Sequence, residues 1–214
     1  MIMRYIHKTN APEKLEQYKT RRGAGYVAMG RFAPDVKFEL KEQLMAEQGY
    51  LCAYCGSRID DDRAVIEHVK CRQLYPELQL EYSNMVCSCR GGQDNRRNNQ
   101  QYPLFCDASK RNSDIPITPL DEFCNDFFVY DEWGGIYDND SPDAATTIEV
   151  LNLDNPVLKN RRRAALRVYE SLPDDTDWSR ELQILHNRHK GGKYSEFLFV
   201  LEYVIRNARM REDD

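Results

Sequence analysis

The segment Cys52-Ala53-Tyr54-Cys55-Gly56 constrains this chain more than any other. Two residues between cysteines let both thiolates point at one ion across a tight turn, and the glycine after the second lets the backbone reverse. A tetrahedral site needs two more soft ligands, and the candidates are Cys71, Cys87, Cys89, Cys106 and Cys124. The same CxxC could serve as a redox pair, but no βαβ pattern surrounds it.

Composition favours the metal. Seven cysteines are an odd count, and the opening residues Met1 to Lys8 are too polar for a secretory signal, so the expected location is the reducing cytoplasm. There, clustered thiols bind metal or stay reduced in the core. No apolar run approaches the ~20 residues of a membrane span. With 214 residues the chain can bury one good core, or carry a small catalytic module with a helical extension. A net charge of −5 argues against coating nucleic acid nonspecifically, because that binding needs many cations. Any such contact must be local. Basic residues do cluster, as Arg90, Arg96, Arg97, Lys110 and Arg111, and again as Lys159, Arg161, Arg162, Arg163 and Arg167, while acids gather at Asp60 to Asp62, Asp138 to Asp143, Asp174-Asp175 and Glu212 to Asp214.

Along the chain, residues 1–48 read as a basic N-terminal arm followed by a helix. A short helical stretch is expected over Glu13 to Thr20, then a helix capped by Asp35 and ended by Gly49, with Val36, Leu40 and Leu44 at fourfold spacing. Residues 49–119 are rich in turns, with strands expected at Ala64 to His68 and Met85 to Cys87. A core this thin needs a staple. Residues 120–214 read as a hairpin around Asp131 to Gly134, a loop over Ser141 to Thr146, and a helical lobe. That lobe comprises a helix opening at Asn155-Pro156, a second over Trp178 to His189, and a last over Tyr194 to Met210 with Phe197, Leu198, Leu201, Val204, Ile205 and Ala208 on one face. His186 and His189 read as a solvated helix end. The fold class is therefore α+β.

Glu67-His68 closes the apolar strand Ala64-Val65-Ile66. Neighbours on a strand project to opposite faces, so the two can take different roles: Glu67 as ligand to a hard divalent cation and His68 as a base. Asn84, near the start of the second strand, is placed to hydrogen-bond and hold the histidine loop.

Taken together, Cys52-x-x-Cys55, Glu67-His68, Asn84, Cys89 and Cys106-Asp107-x-x-Lys110 resemble the HNH (ββα-metal) endonuclease family with its accessory zinc. The resemblance selects Cys89, five residues past the asparagine, over Cys87, and pairs it with Cys106. It also departs from the family in two ways. Aspartate stands at position 107 where the family has Asn or His, which leaves Asn95 as a rival, and sixteen residues separate Cys89 from Cys106 where two are common. The opening Met3-Arg4-Tyr5-Ile6-His7-Lys8 and the tail from Thr147-Ile148 to Leu153 are similar to the HNH subunit (PtuB type) of Septu and retron-associated anti-phage systems.

That resemblance implies a small ββα-metal core stapled by zinc on Cys52, Cys55, Cys89 and Cys106, flanked by the N-terminal arm and the C-terminal helical lobe. It implies hydrolysis of phosphodiester bonds in DNA or RNA, with His68 activating water, Mg²⁺ or Mn²⁺ on Glu67 and Asp107, and Asn84 orienting the histidine. Arg96, Arg97, Lys110 and Arg111 would hold flanking phosphates. An ATPase subunit of the ABC/SMC-like class (PtuA type) would be the partner, together with a retron reverse transcriptase and its DNA. The chain has no Walker A motif, so ATP hydrolysis would belong to that partner. The alternative is a zinc-stapled module that binds nucleic acid or protein without cutting.

Overall fold

A computed structural model describes residues 3–173, 175–187, 189 and 191–212, without the side chains of 170 and 208–212. Met1, Asp174, Ala208, Met210, Glu212, Asp213 and Asp214, which entered the sequence expectations, therefore lie wholly or in their side chains outside the described residues.

The N-terminal part is no arm. Helices α1 (Glu13–Lys19), α2 (Tyr26–Phe32) and α3 (Pro34–Glu47) follow one another, and Met3, Ile6, Leu15, Tyr18, Tyr26 and Met29 are buried. Its many charges lie on the outer faces of short amphipathic segments whose inner faces join the core. Helix α3 is opened by Pro34 at its first position, with no side-chain cap; Asp35 lies inside the first turn. Lys8 and Thr9 are tied to Glu47 at the far end of α3, by 2.7 Å and 2.8 Å contacts, and Tyr82 donates to the same carboxylate at 2.6 Å.

Strands β1 (Ala64–His68) and β2 (Met85–Cys89) pair antiparallel, with Ala64 opposite Cys89 and His68 opposite Met85. This two-stranded sheet carries both halves of the site. Its outer edge is not left bare: buried Gln48, just past α3, accepts from the Cys87 N–H at 2.6 Å and donates to the Cys87 carbonyl at 2.8 Å, substituting for a third strand. After β2 come two single-turn helices, α4 (Gln93–Arg96) and α5 (Asp107–Lys110).

Strands β3 (Phe128–Tyr130) and β4 (Ile136–Asp138) form the expected hairpin. The stretch expected as a loop at Ser141 is instead the start of helix α6 (Pro142–Leu151), because Ser141 accepts from the Ala144 N–H and Pro142 takes the first helical position. Asn155 caps α7 (Pro156–Glu170) by accepting from Val157 and Leu158. Helix α8 (Trp178–His186) stops before His189, and α9 (Leu198–Glu212) lies against α7, α8 and β3. The buried apolar residues form one cluster running from Met3 to Ile205. The architecture is thus α+β, with a small sheet at the centre and helices on both sides of it in sequence.

The Arg161-Arg162-Arg163 run divides. Arg162 is buried and donates to the carbonyls of Gly134 at 2.7 Å and Leu153 at 3.0 Å, so it pins the β3–β4 turn to α7. Arg163 stacks on Trp133 at 3.9 Å.

Candidate active site and metal centre

The four sulfurs of Cys52, Cys55, Cys89 and Cys106 lie within 4.8 Å of one another, and none forms a disulfide. The Cys52–Cys106 and Cys55–Cys89 separations are 3.9 Å and 3.8 Å. Four thiolates around a tetrahedral zinc at about 2.3 Å would stand about 3.8 Å apart, so the donor set fits that ion. Cys87, the rival ligand, points elsewhere, with its sulfur 3.7 Å from the Lys41 carbonyl.

Local backbone geometry brings the ligands together. Gly56 adopts φ +72°, and a Cβ there would sit 2.3 Å from the Phe199 ring, so only glycine lets the knuckle turn beneath α9. Cys52 accepts from the Cys89 N–H at 3.2 Å. The sixteen-residue insertion loops out as the spacing requires, because Phe105 N–H donates to the Gly91 carbonyl at 3.0 Å and closes its base. Burial pushes the Cys52 thiol up, yet hydrogen bonds from Cys106, Cys55 and Cys89 outweigh it and hold the thiol well below its usual range. Burial and the neighbouring sulfurs push Cys106 well above it. A cation is what lets all four thiols ionise together.

At the other end of the sheet, Glu67, His68 and Asp107 line one cleft of 480 Å³ with Tyr26, Arg72, Cys71 and Arg111. Although successive on β1, Glu67 and His68 take different partners. Glu67 Oε1 receives Lys110 Nζ at 2.8 Å and Tyr54 Oη at 3.2 Å. Burial, then the adjacent Asp107 carboxyl, push its pKa up to about 8 against the pull of Lys110. Two carboxylates this close favour a shared divalent cation, and one or two carboxylates with water and substrate phosphate are a usual Mg²⁺ set.

His68 has its Nε2 3.0 Å from the Gln79 carbonyl, and its ring meets Tyr26 edge to face at 4.7 Å. A carbonyl only accepts, so Nε2 carries the proton and Nδ1 is the free acceptor. Its pKa is not that of a solvent-exposed imidazole. Burial, chiefly, with the charges of Arg72 and Lys110, pushes it down to about 4, which keeps the imidazole neutral at pH 7.

Asn84 grips the chain rather than the ring. Its carbonyl accepts from Val69 N–H at 2.9 Å, and its side chain accepts from Lys70 N–H at 2.8 Å and donates to the Lys70 carbonyl at 3.0 Å. It holds the loop that follows His68. Asp107 lies in the cleft, whereas Asn95 lines a separate one with Arg58, Arg90 and Arg161.

Of the basic residues expected to hold phosphates, Arg111 borders the cleft and Arg96 and Arg97 are exposed on the insertion. Lys110 is a correction: it is fully buried, salt-bridged to Glu67 and bonded to the His68 carbonyl at 3.1 Å, so it cannot reach a flanking phosphate. His186 pairs with Glu202 at 3.1 Å and His189 with Ser195 at 3.1 Å, so the two histidines have separate partners.

Sequence reasoning missed Tyr54, Tyr26 and Arg72. Tyr54, between the knuckle cysteines, is fully buried and reaches across to Glu67; an aromatic inside a CxxC is the signal that could have shown it. Tyr26 and Arg72 carry no motif, and only folding brings them to the histidine.

No family model matches the chain. It is 30% identical over 170 residues to the protein assigned as HNH endonuclease of retron Vc95 in Vibrio cholerae, covering 74% of this chain and 80% of that one. It is 28% identical over an alignment of 215 positions to the corresponding protein of retron Ec83 in Escherichia coli, covering 80% and 81%.

Proposed function

The chain belongs to the retron-type HNH endonuclease family, and from that premise we propose that it hydrolyses phosphodiester bonds of nucleic acid, DNA or RNA, as the effector of an anti-phage system. The observation that carries this reading is the meeting of Glu67, His68 and Asp107 in one cleft. His68, neutral and held by Gln79 through Nε2, takes a proton from water at Nδ1. Gln79 and Asn84 keep that ring and its loop in place, so the base costs little reorganisation. Glu67 and Asp107 are the residues that would hold Mg²⁺ or Mn²⁺, which when bound supplies charge stabilisation at the scissile phosphate and leaving oxygen. Lys110 and Tyr54 fix one oxygen of Glu67. Arg111 contributes positive charge at the rim.

Zinc on Cys52, Cys55, Cys89 and Cys106 is structural in this reading. Association with a retron, its reverse transcriptase and its DNA is supported by the retron names of the relatives, and an ATPase of the ABC/SMC-like class completes the partnership in this reading. Residues 120–214 are the lobe that docks partner or substrate in this reading, and Phe123, Trp133 and Val168 within it are all more than half exposed.

The test is to incubate the protein, alone and with the neighbouring ATPase, with plasmid, single-stranded DNA and total RNA under Mg²⁺ or Mn²⁺. Cleavage that His68→Ala lowers by about 10²- to 10⁴-fold, with bound zinc unchanged, supports the reading. No cleavage with either ion and the partner present would leave the non-cutting zinc-stapled module.

A further inference from the structure

Two cations share one aromatic ring beside the cleft. The Arg72 guanidinium stands 4.5 Å and the Lys37 ammonium 5.1 Å from the centroid of Tyr26, and among the described residues neither has a carboxylate within 4.0 Å. Tyr26 itself packs on His68, so this unneutralised charge begins at the base. It continues along α2. Gly30 lies one turn beyond Tyr26, and a Cβ there would meet Lys37 Nζ at 3.3 Å, which places the ammonium along that helical face. Exposed Arg31 follows, 5.2 Å from the ring of Phe32, itself 73% exposed. Cations off this path, such as Lys14 and Lys19, are matched by Glu39 and Glu16.

A ring quadrupole attracts each cation but does not cancel the repulsion between them. A polyanion does. In a chain of net charge −5, positive groups left unmatched in a row that starts at a hydrolytic cleft have phosphates as their complementary partner.

We propose that α2, with Lys37 and Arg72, is the track for the nucleic-acid strand on one side of the scissile phosphate, Arg72 and Lys37 holding its phosphates and Phe32 offering a face on which a base stacks. The inference rests on the endonuclease reading and adds to it the direction in which the strand leaves the cleft.

The experiment uses the full chain carrying His68→Ala, so that nothing is cut, and a labelled oligonucleotide of mixed sequence, single- and double-stranded, in Mg²⁺. Adding Lys37→Ala and Arg72→Ala should weaken binding about tenfold or more and reduce the slope of log K against log salt by about 1.4 to 1.8, since each lost phosphate contact removes roughly 0.7 to 0.9. Lys37→Arg with Arg72→Lys should restore both. Zinc content and melting temperature confirm that the variants are folded. Unchanged affinity and slope in the double variant, or no binding by the parent, overturns the track. Cleavage is scored separately on the His68 protein: cleavage with track-independent binding sinks only the track, and track-dependent binding without cleavage sinks only the hydrolytic reading.

Discussion

At the Ala64–Cys89 end of the β1–β2 sheet four sulfurs converge, three of them buried, while at the His68–Met85 end two carboxylates and an imidazole open onto a 480 Å³ cleft. Five residue pairs, ends included, span the sheet from one to the other, about 13 Å of strand. The sulfur end supplies four identical ligands and so leaves no coordination position for a substrate. The cleft end supplies two ligands of a different kind and leaves the rest to water and substrate. A closed donor set serves folding and an open one serves reaction. The two are joined by Tyr54, which stands between two cysteines and donates to Glu67.

The sharpest break between the ends is expected from the cysteines. Replacing Cys106 with Ser should remove zinc and, because structural zinc contributes on the order of 10 kcal/mol, abolish cooperative unfolding by circular dichroism; a folded, zinc-free variant would erase the distinction between the ends. Next in size is Lys110→Met at pH 9, above the Glu67 pKa of about 8, where it strands the ionised Glu67 beside Asp107. Removing one partner of a buried pair costs about 3 to 5 kcal/mol, and a denaturant midpoint should show it, with Glu67→Gln in the same chain recovering most of the loss. If Lys110→Met is neutral, Lys110 is not the internal counter-ion described here.

A third effect is set by pH. The pKa of His68 falls from 6.5 unfolded to about 4 folded, so the unfolded chain takes up a proton first. Stability is full above pH 6.5 and is lost as pH falls toward 4, on the order of 3 kcal/mol. Denaturant midpoints across that window should slope in the native chain and flatten in His68→Ala; equal slopes would mean the ring is not buried as described. The smallest effect is Tyr54→Phe, about 1 kcal/mol for one hydrogen bond, with zinc content unchanged. It measures how much the closed end steadies the open one.

The sheet and the clustering of Cys52, Cys55, Cys89 and Cys106 were readable because their signals are local. Ala64-Val65-Ile66 is an apolar run ending in a charged pair, and CxxCG is a turn with its own geometry. Lys110 was misread for the opposite reason: a lysine on a one-turn helix looks like surface until Glu67, from another strand, is folded against it. The N-terminal segment was mistaken for an arm because its helices are too short to show a full apolar stripe, and their burial depends on partners far along the chain. At Ser141-Pro142 both a cap and a helix-starting proline were present, but the surrounding Asp and Ser residues look like those of a turn. Tyr26 and Arg72 follow no pattern at all; their meeting at His68 is a property of the tertiary fold.

The clasp between Gly91 and Phe105 carries one more consequence. A Cβ at Gly91 would fall 1.9 Å from the Phe105 carbonyl, so the two strands of chain touch there, immediately inside the ligands Cys89 and Cys106. Everything from Gly92 to Leu104 hangs beyond that contact, and its length is invisible to the sulfurs. Doubling such a loop costs only about 0.6 kcal/mol. The four-cysteine cluster therefore sits behind a fixed collar, and a longer or shorter segment beyond Gly92 leaves the positions of its sulfurs unchanged.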